Sequence, residues 1–243
     1  MGLVLIGCKI QHPPDPNDPA NASLVEPEAI QNALRGVYES LDDRVRTKEL
    51  TQYQLRDELR ARAREFAKYL DLGSADPADA WRLGDIYRTA ELWDKASEAF
   101  RAAVKVAATP DRRVNDTLRL AQCEAKLGRP KEAVELARSV FDTPPGDKGA
   151  ILPASLLEIA PAAMGKGADV PLADLLVDAV EQHLQTVVDT STDPGKAFMQ
   201  ARPFHIRNAY DLASRLYARA GLAEKAKWAQ RKRRDTLSAI RGT

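Results

Sequence analysis

The chain has 243 residues but only two cysteines, three histidines and 6% aromatics. Two cysteines, Cys8 and Cys123, cannot build a disulfide framework or a four-ligand zinc site. His12, His183 and His205 are far apart, and neither cysteine has a histidine beside it in sequence, so no nucleophile–base pair is visible. No glycine-rich loop follows a strand. Gly165-Lys166-Gly167 lacks the spacing and the Ser or Thr of a phosphate-binding loop. The expectation is therefore a non-enzymatic protein with no catalytic residue, cofactor or metal. Charge of one sign is also lacking. Lys plus Arg total 36 against 35 Asp plus Glu, a formal net charge of +1, which weighs against wholesale nucleic-acid binding. No stretch is long and apolar enough to span a bilayer, and thirteen glycines are few for a turn-rich all-β protein.

What is present is alanine and leucine at helical spacing, so the fold class is all-α. Pro27 suits the first turn of a helix, in which Ile30, Ala33, Leu34, Val37 and Leu41 make one apolar stripe. A second helix follows Thr51, whose side chain can cap while Gln54 reciprocates three residues on. Leu50 and Leu55 stand where a hydrophobic staple forms. Arg56, Arg60, Arg62, Arg64 and Lys68 crowd this helix, with Asp57, Glu58 and Glu65 interleaved. That pattern predicts a solvated, salt-bridged face. Residues 27–73 thus read as an N-terminal helical hairpin.

The organising pattern lies at 77–147. Leu83-Gly84 is followed by Tyr87, Ala96, Phe100 and Ala103. Leu120-Ala121, Leu127-Gly128, Ala133 and Pro145 repeat the theme, with Leu83, Gly84 and Ala96 recurring 37 positions on as Leu120, Ala121 and Ala133. The spacing resembles the tetratricopeptide repeat (TPR), whose period is about 34 residues, so Asp111-Arg112-Arg113 reads as a short insertion between two copies. Glu91 stands at the first turn where Gly128 stands at the second. Glu124 and Ala137 replace Tyr87 and Phe100. A degenerate TPR-like copy follows at 207–240, with Ser214 for Gly84 and Gln230 for Phe100, inside a region of further helical hairpins, 148–243. The resemblance implies a right-handed α-solenoid of TPR-like helical hairpins behind the N-terminal one.

At the N-terminus, Leu5-Ile6-Gly7-Cys8 resembles the lipobox of bacterial lipoproteins. Residues 1–8 then read as a truncated signal remnant, without the basic start and the full apolar run such signals carry. Residues 9–26, with four prolines, read as a disordered tether. The resemblance implies acylation of Cys8, a membrane anchor and a bacterial cell-envelope location. The alternative is a cytoplasmic protein with an accidental match.

In the repeat family the first helix of each pair lines a concave groove. Carried over by register, the lining is Trp81, Arg82, Asp85, Arg88 and Thr89, then Asn115, Leu118, Arg119, Gln122 and Lys126. Arg82, Arg88, Arg119 and Lys126 face one acid, Asp85. The implied partner is a protein or peptide segment of acidic character, with Trp81 as apolar anchor. The competing reading is a soluble scaffold whose basic C-terminal helix (Lys225, Lys227, Arg231, Lys232, Arg233, Arg234) touches an acidic protein or nucleic acid.

Overall fold

The computed structural model describes residues 13–143 and 151–241. Cys8 and the end of the second repeat, Pro145 to Asp147, lie outside the described residues. Among those described the chain forms ten α-helices and no strand, as expected of an all-α protein. They are α1 (Pro27–Arg46), α2 (Gln52–Ala67), α3 (Ala80–Thr89), α4 (Trp93–Val106), α5 (Pro110–Lys126), α6 (Pro130–Ser139), α7 (Leu152–Ala163), α8 (Asp169–Gln185), α9 (Asp193–Arg219) and α10 (Ala223–Arg241). Contacts divide the chain into two units. One runs to Ala75 and includes Thr89–Glu91; the other holds Asp76–Arg88 and everything from Leu92 on.

In the first unit α1 packs on α2. The capping box forms: Gln54 N donates to Thr51 Oγ1 at 3.3 Å, and Thr51 N to Gln54 Oε1 at 2.9 Å. Within the segment 9–26, expected to be a disordered tether, residues 13–26 fold around a 3-10 turn at Pro19–Asn21 that contacts α2, with Ala22 buried. Asp15 and Asp18 cap successive backbone amides there, and Arg62 donates to the Asn17 carbonyl. The proline run therefore ends in Asx-type turns that give its backbone donors partners. The basic residues of α2 are also less idle than a solvated face. Arg60 bridges Asp57 and Glu91, and Arg64 Nε donates to the Ala90 carbonyl at 2.8 Å.

In the second unit successive helices from α4 on pack on one another, α3 meets α4 at Gly84 and Phe100, and alternate helices touch as well. α5 contacts α4, α6 and α7; α6 contacts α8; and α9 contacts α7, α8 and α10. The core is aliphatic and alanine-rich, running from Val114 and Leu118 through Leu156, Ile159, Leu172 and Leu176 to Ile206 and Leu216.

The same turn closes four hairpins among the described residues. Between α1 and α2, Glu49 N donates to Arg44 O at 2.8 Å, with Lys48 (φ 64) left-handed before it. In α3/α4, α5/α6 and α9/α10, Leu92 N donates to Tyr87 O at 2.9 Å, Arg129 N to Glu124 O at 2.8 Å, and Leu222 N to Tyr217 O at 2.8 Å. Each is the six-residue bond of a Schellman C-cap, which requires a left-handed residue just before the donor. Glu91 (φ 55), Gly128 (φ 78) and Gly221 (φ 77) supply it in the later three. Glu91 adopts the conformation despite its side chain, and Arg60 holds its carboxylate at 3.1 Å.

One contact between the two helices of a hairpin can be followed through α3/α4, α5/α6 and α9/α10. A Cβ added at Gly84 would lie 3.0 Å from three atoms of the Phe100 ring, so glycine is what lets α3 and α4 close around that aromatic. The corresponding Ala121 and Ala137 are both fully buried. In the last hairpin Gln230 Nε2 donates to Ser214 Oγ at 3.2 Å, and Ser214 Oγ donates to the Ala226 carbonyl at 3.0 Å. A shape match has become a hydrogen-bonded pair. Asp111-Arg112-Arg113, expected as an insertion, is instead the first turn of α5, capped by Thr109 accepting from Arg112 N at 3.2 Å. The three extra residues lengthen a helix and leave the hairpin unchanged.

Glu124 takes the place of Tyr87 and is 0% exposed. Its carboxylate accepts from Ser97 of α4, from Arg101 Nη2 at 2.8 Å and from Arg129 Nη1 at 2.9 Å, while Arg101 also reaches Glu132 at 2.9 Å. Burial pushes the Glu124 pKa up, but the Ser97 and Arg129 hydrogen bonds and the two cations outweigh it and hold it below the usual carboxylate range. An ion network fills the space that an aromatic fills one hairpin earlier.

Candidate partner-binding face

Residues from α3, α5, α7 and α9 meet along one line of contacts in the second unit. The Arg112 guanidinium of α5 lies 3.5 Å from the centre of the Trp81 ring of α3, with Arg82 4.5 Å from the same ring. Burial and the Arg88 cation lower the pKa of Arg119, while the carboxylates of Asp85 and Glu158 act the other way. From α7, Glu158 receives Gln122 Nε2 at 2.7 Å and lies 3.7 Å from Arg119. Glu158 then lines a cavity of about 400 Å³ with Ala154, Leu157 and Pro161 of α7 and Phe204, His205, Asn208, Leu212 and Arg215 of α9.

Of the groove residues expected from the sequence, Trp81, Arg82, Asp85, Arg88, Asn115 and Arg119 are half-buried, Gln122 is buried and Lys126 is exposed. Lys126 lies over the Trp93 ring at 5.4 Å. Leu118 does not join them; at 1% exposure it belongs to the core. The charge count also changes once neighbours are seen. Arg82 pairs with Asp79 at 2.5 Å and Arg88 with Asp85 at 3.2 Å. Arg112 pairs through two nitrogens with the buried Asp116, at 3.0 and 2.6 Å. Burial nevertheless pushes the Asp116 pKa up, more than the Arg112 pairing lowers it. Counting Asp79, Asp116 and Glu158 beside Asp85, the arginines Arg82, Arg88, Arg112 and Arg119 are matched by carboxylates of the same face. A partner's carboxylate would have to exchange with these pairs.

Sequence reasoning missed the α7 and α9 part of this face. Glu158, Phe204 and Arg215 follow no recognisable repeat spacing, because Pro161 and Pro203 stand inside α7 and α9. His183 and His205, distant in sequence, lie with ring centres 5.6 Å apart, between Phe198 and Phe204. Burial lowers the His205 pKa, so it is neutral at pH 7. Cys123 is fully buried in α5 and its thiol is pushed up to about 12, mainly by burial, so it stays protonated and inert near neutrality. Among the described residues no group of three or more His, Cys, Asp or Glu is placed to hold a metal ion. No helix among them is long and apolar enough to cross a membrane.

Set against known protein families and curated proteins, the chain matches no family model and no curated protein.

Proposed function

We propose that this chain is a non-enzymatic scaffold or adaptor of the TPR kind, a right-handed solenoid that binds a segment of a partner protein along α3, α5, α7 and α9. The observation that carries the reading is the line of contacts from Trp81 and Arg112 through Arg119, Gln122 and Glu158 to Phe204 and Arg215, contributed by alternate helices. A solenoid in which each pair stacks on the next produces such a face, since every first helix of a pair faces the same way. The Gly84–Phe100, Ala121–Ala137 and Ser214–Gln230 positions support the TPR assignment. The charged groups are those of a groove that recognises mixed polar sequence, with Asn115, Arg119 and Lys126 facing the partner and the buried Gln122 holding Glu158 in place.

The same reading places the protein on a bacterial envelope through acylated Cys8, on the strength of Leu5-Ile6-Gly7-Cys8 alone. The alternative remains a cytoplasmic scaffold using its basic end. In α10, however, Lys225, Lys227 and Arg233 already pair with Asp174, Glu224 and Asp211, which leaves fewer cations for nucleic acid.

Affinity purification of the full chain, with mass analysis of bait and partners, tests both parts. The expected result is a lipid-modified Cys8 and a partner protein retained by the wild type but lost from Arg119→Met, which keeps the stem and removes the charge. Recovery of the partner with both proteins would contradict the groove. A Cys8→Ala variant that fractionates with membranes as the wild type does would contradict the anchor.

A further inference from the structure

The cavity between α7 and α9 has a composition unlike the rest of the face. Its walls are apolar: Leu157 is half-buried, Pro161 exposed and Phe204 60% exposed. An aromatic ring left that open at the mouth of a cavity is a favourable surface to cover, at roughly 25 cal/mol per Å² of apolar area removed from water. The volume of about 400 Å³ falls within the roughly 300–1,000 Å³ of ordinary ligand pockets. By contrast Trp81, the aromatic first expected to anchor a partner, carries two guanidinium groups over its ring.

The polar groups at the rim differ in what they have left to offer. Glu158 is engaged by Gln122 and Arg119. His205 is neutral at pH 7 because burial lowers its pKa. Asn208 spends one amide hydrogen on the Phe204 carbonyl at 2.8 Å. Arg215 is exposed and has no ion-pair partner among the described residues. Pro161 has no N–H, so the Leu157 carbonyl lacks the donor that a helix would give it four residues on. The cavity therefore presents an apolar socket and one uncompensated cation.

We propose that this cavity is the anchor subsite of the face, taking one large apolar side chain of an extended peptide segment whose neighbouring Asp or Glu pairs with Arg215. The assignment rests on the partner-binding reading above and sharpens it by naming the segment. The apolar side chain packs on Phe204, Leu157 and Pro161. The acidic neighbour meets the one guanidinium of the rim not already matched, a geometry in which arginine binds carboxylate through two nitrogens.

The test uses a random peptide library displayed on phage, selected on the full chain. Selected sequences are then synthesised with a fluorescent label and titrated against variants. The expected result is a shared pattern of Leu, Ile, Met, Phe or Trp with Asp or Glu within two positions. Phe204→Ala and Arg215→Glu should each weaken binding by about tenfold or more, and Arg207→Glu, an exposed arginine of α9 outside the cavity, should not. Both altered positions are exposed, so the fold should survive, as a melting curve would verify. Peptides that lack the pattern, or that bind both variants unchanged while losing affinity for Arg119→Met, would overturn the anchor subsite and leave the partner-binding face standing. A chain that selects no peptide, or only peptides indifferent to Arg119, Phe204 and Arg215 alike, would overturn both.

Discussion

The hairpins α3/α4 and α5/α6 close with the same backbone geometry and opposite chemistry. The first is filled by Tyr87 and Phe100 around Gly84, with a strained Glu91 at its turn. The second has Glu124 and Ala137 at those places and an easy Gly128 at its turn, with Ser97, Arg101 and Arg129 closing on the buried carboxylate. What persists is the turn and the small residue that allows approach; what varies is the filling. A hairpin of this kind tolerates an aromatic, a bare alanine contact or an ion network, provided buried polar groups find partners.

The sharpest way to break the comparison is Phe100→Ala. Phe100 is fully buried against Gly84, so the loss should be about 3–5 kcal/mol, read by denaturant unfolding. The counterpart in the second hairpin is Arg101→Met combined with Arg129→Met, which strands Glu124 with Ser97 alone. Breaking a buried pair costs about 3–5 kcal/mol, and since both arginines are about half exposed we expect nearer 2.

The two states of Glu124 also predict opposite pH behaviour. In the wild type its pKa is depressed on folding, so its contribution is fully present above its unfolded value near 4.5. That contribution is lost as pH falls through the folded pKa. In the double variant burial dominates and raises the pKa, so stability should rise as pH falls from neutrality. Asp116, raised by burial, works against the wild-type trend. The informative quantity is therefore the difference between each protein and its Glu124→Gln derivative, followed by urea unfolding from about pH 7 to pH 4.

Gly84→Leu should cost about 1–3 kcal/mol by driving a side chain into the Phe100 ring. Ala121→Leu, facing Ala137 instead of a ring, should cost less. An equal loss at both positions in thermal melts would mean the second hairpin is as tightly closed as the first. Smallest of all are the turns. Gly128→Ala should cost about 1 kcal/mol because alanine resists the left-handed region. Glu91→Gly should gain stability or change little, relief of that strain being offset by loss of the Arg60 pair.

The sequence made much of this legible. Helical periodicity marked the all-α class, and Thr51 with Gln54 marked the start of α2. The positions 84, 96 and 100 and their counterparts were readable because close helix packing admits few residue types. Glu124 looked like a defect, since its compensation comes from Ser97 and Arg101 on another helix and from Arg129 beyond the turn. The carboxylate beside Arg119 was hidden for the same reason, Glu158 being 39 residues away in the chain, whereas Asp79, Asp85 and Asp116 lie within four residues of the arginines they pair with. The cavity beside Phe204 was hidden further, because prolines within α7 and α9 interrupt the pattern by which the earlier helices were found. Asp111 to Arg113 misled, since extra residues that lengthen a helix and extra residues that make a loop read alike.

The most direct test of the account follows the amide resonances of the full chain as a selected peptide is added. The account predicts shifts concentrated on α3, α5, α7 and α9, strongest around Leu157, Phe204 and Arg215. Shifts concentrated on α6, α8 and α10, with those three positions unmoved, would contradict it.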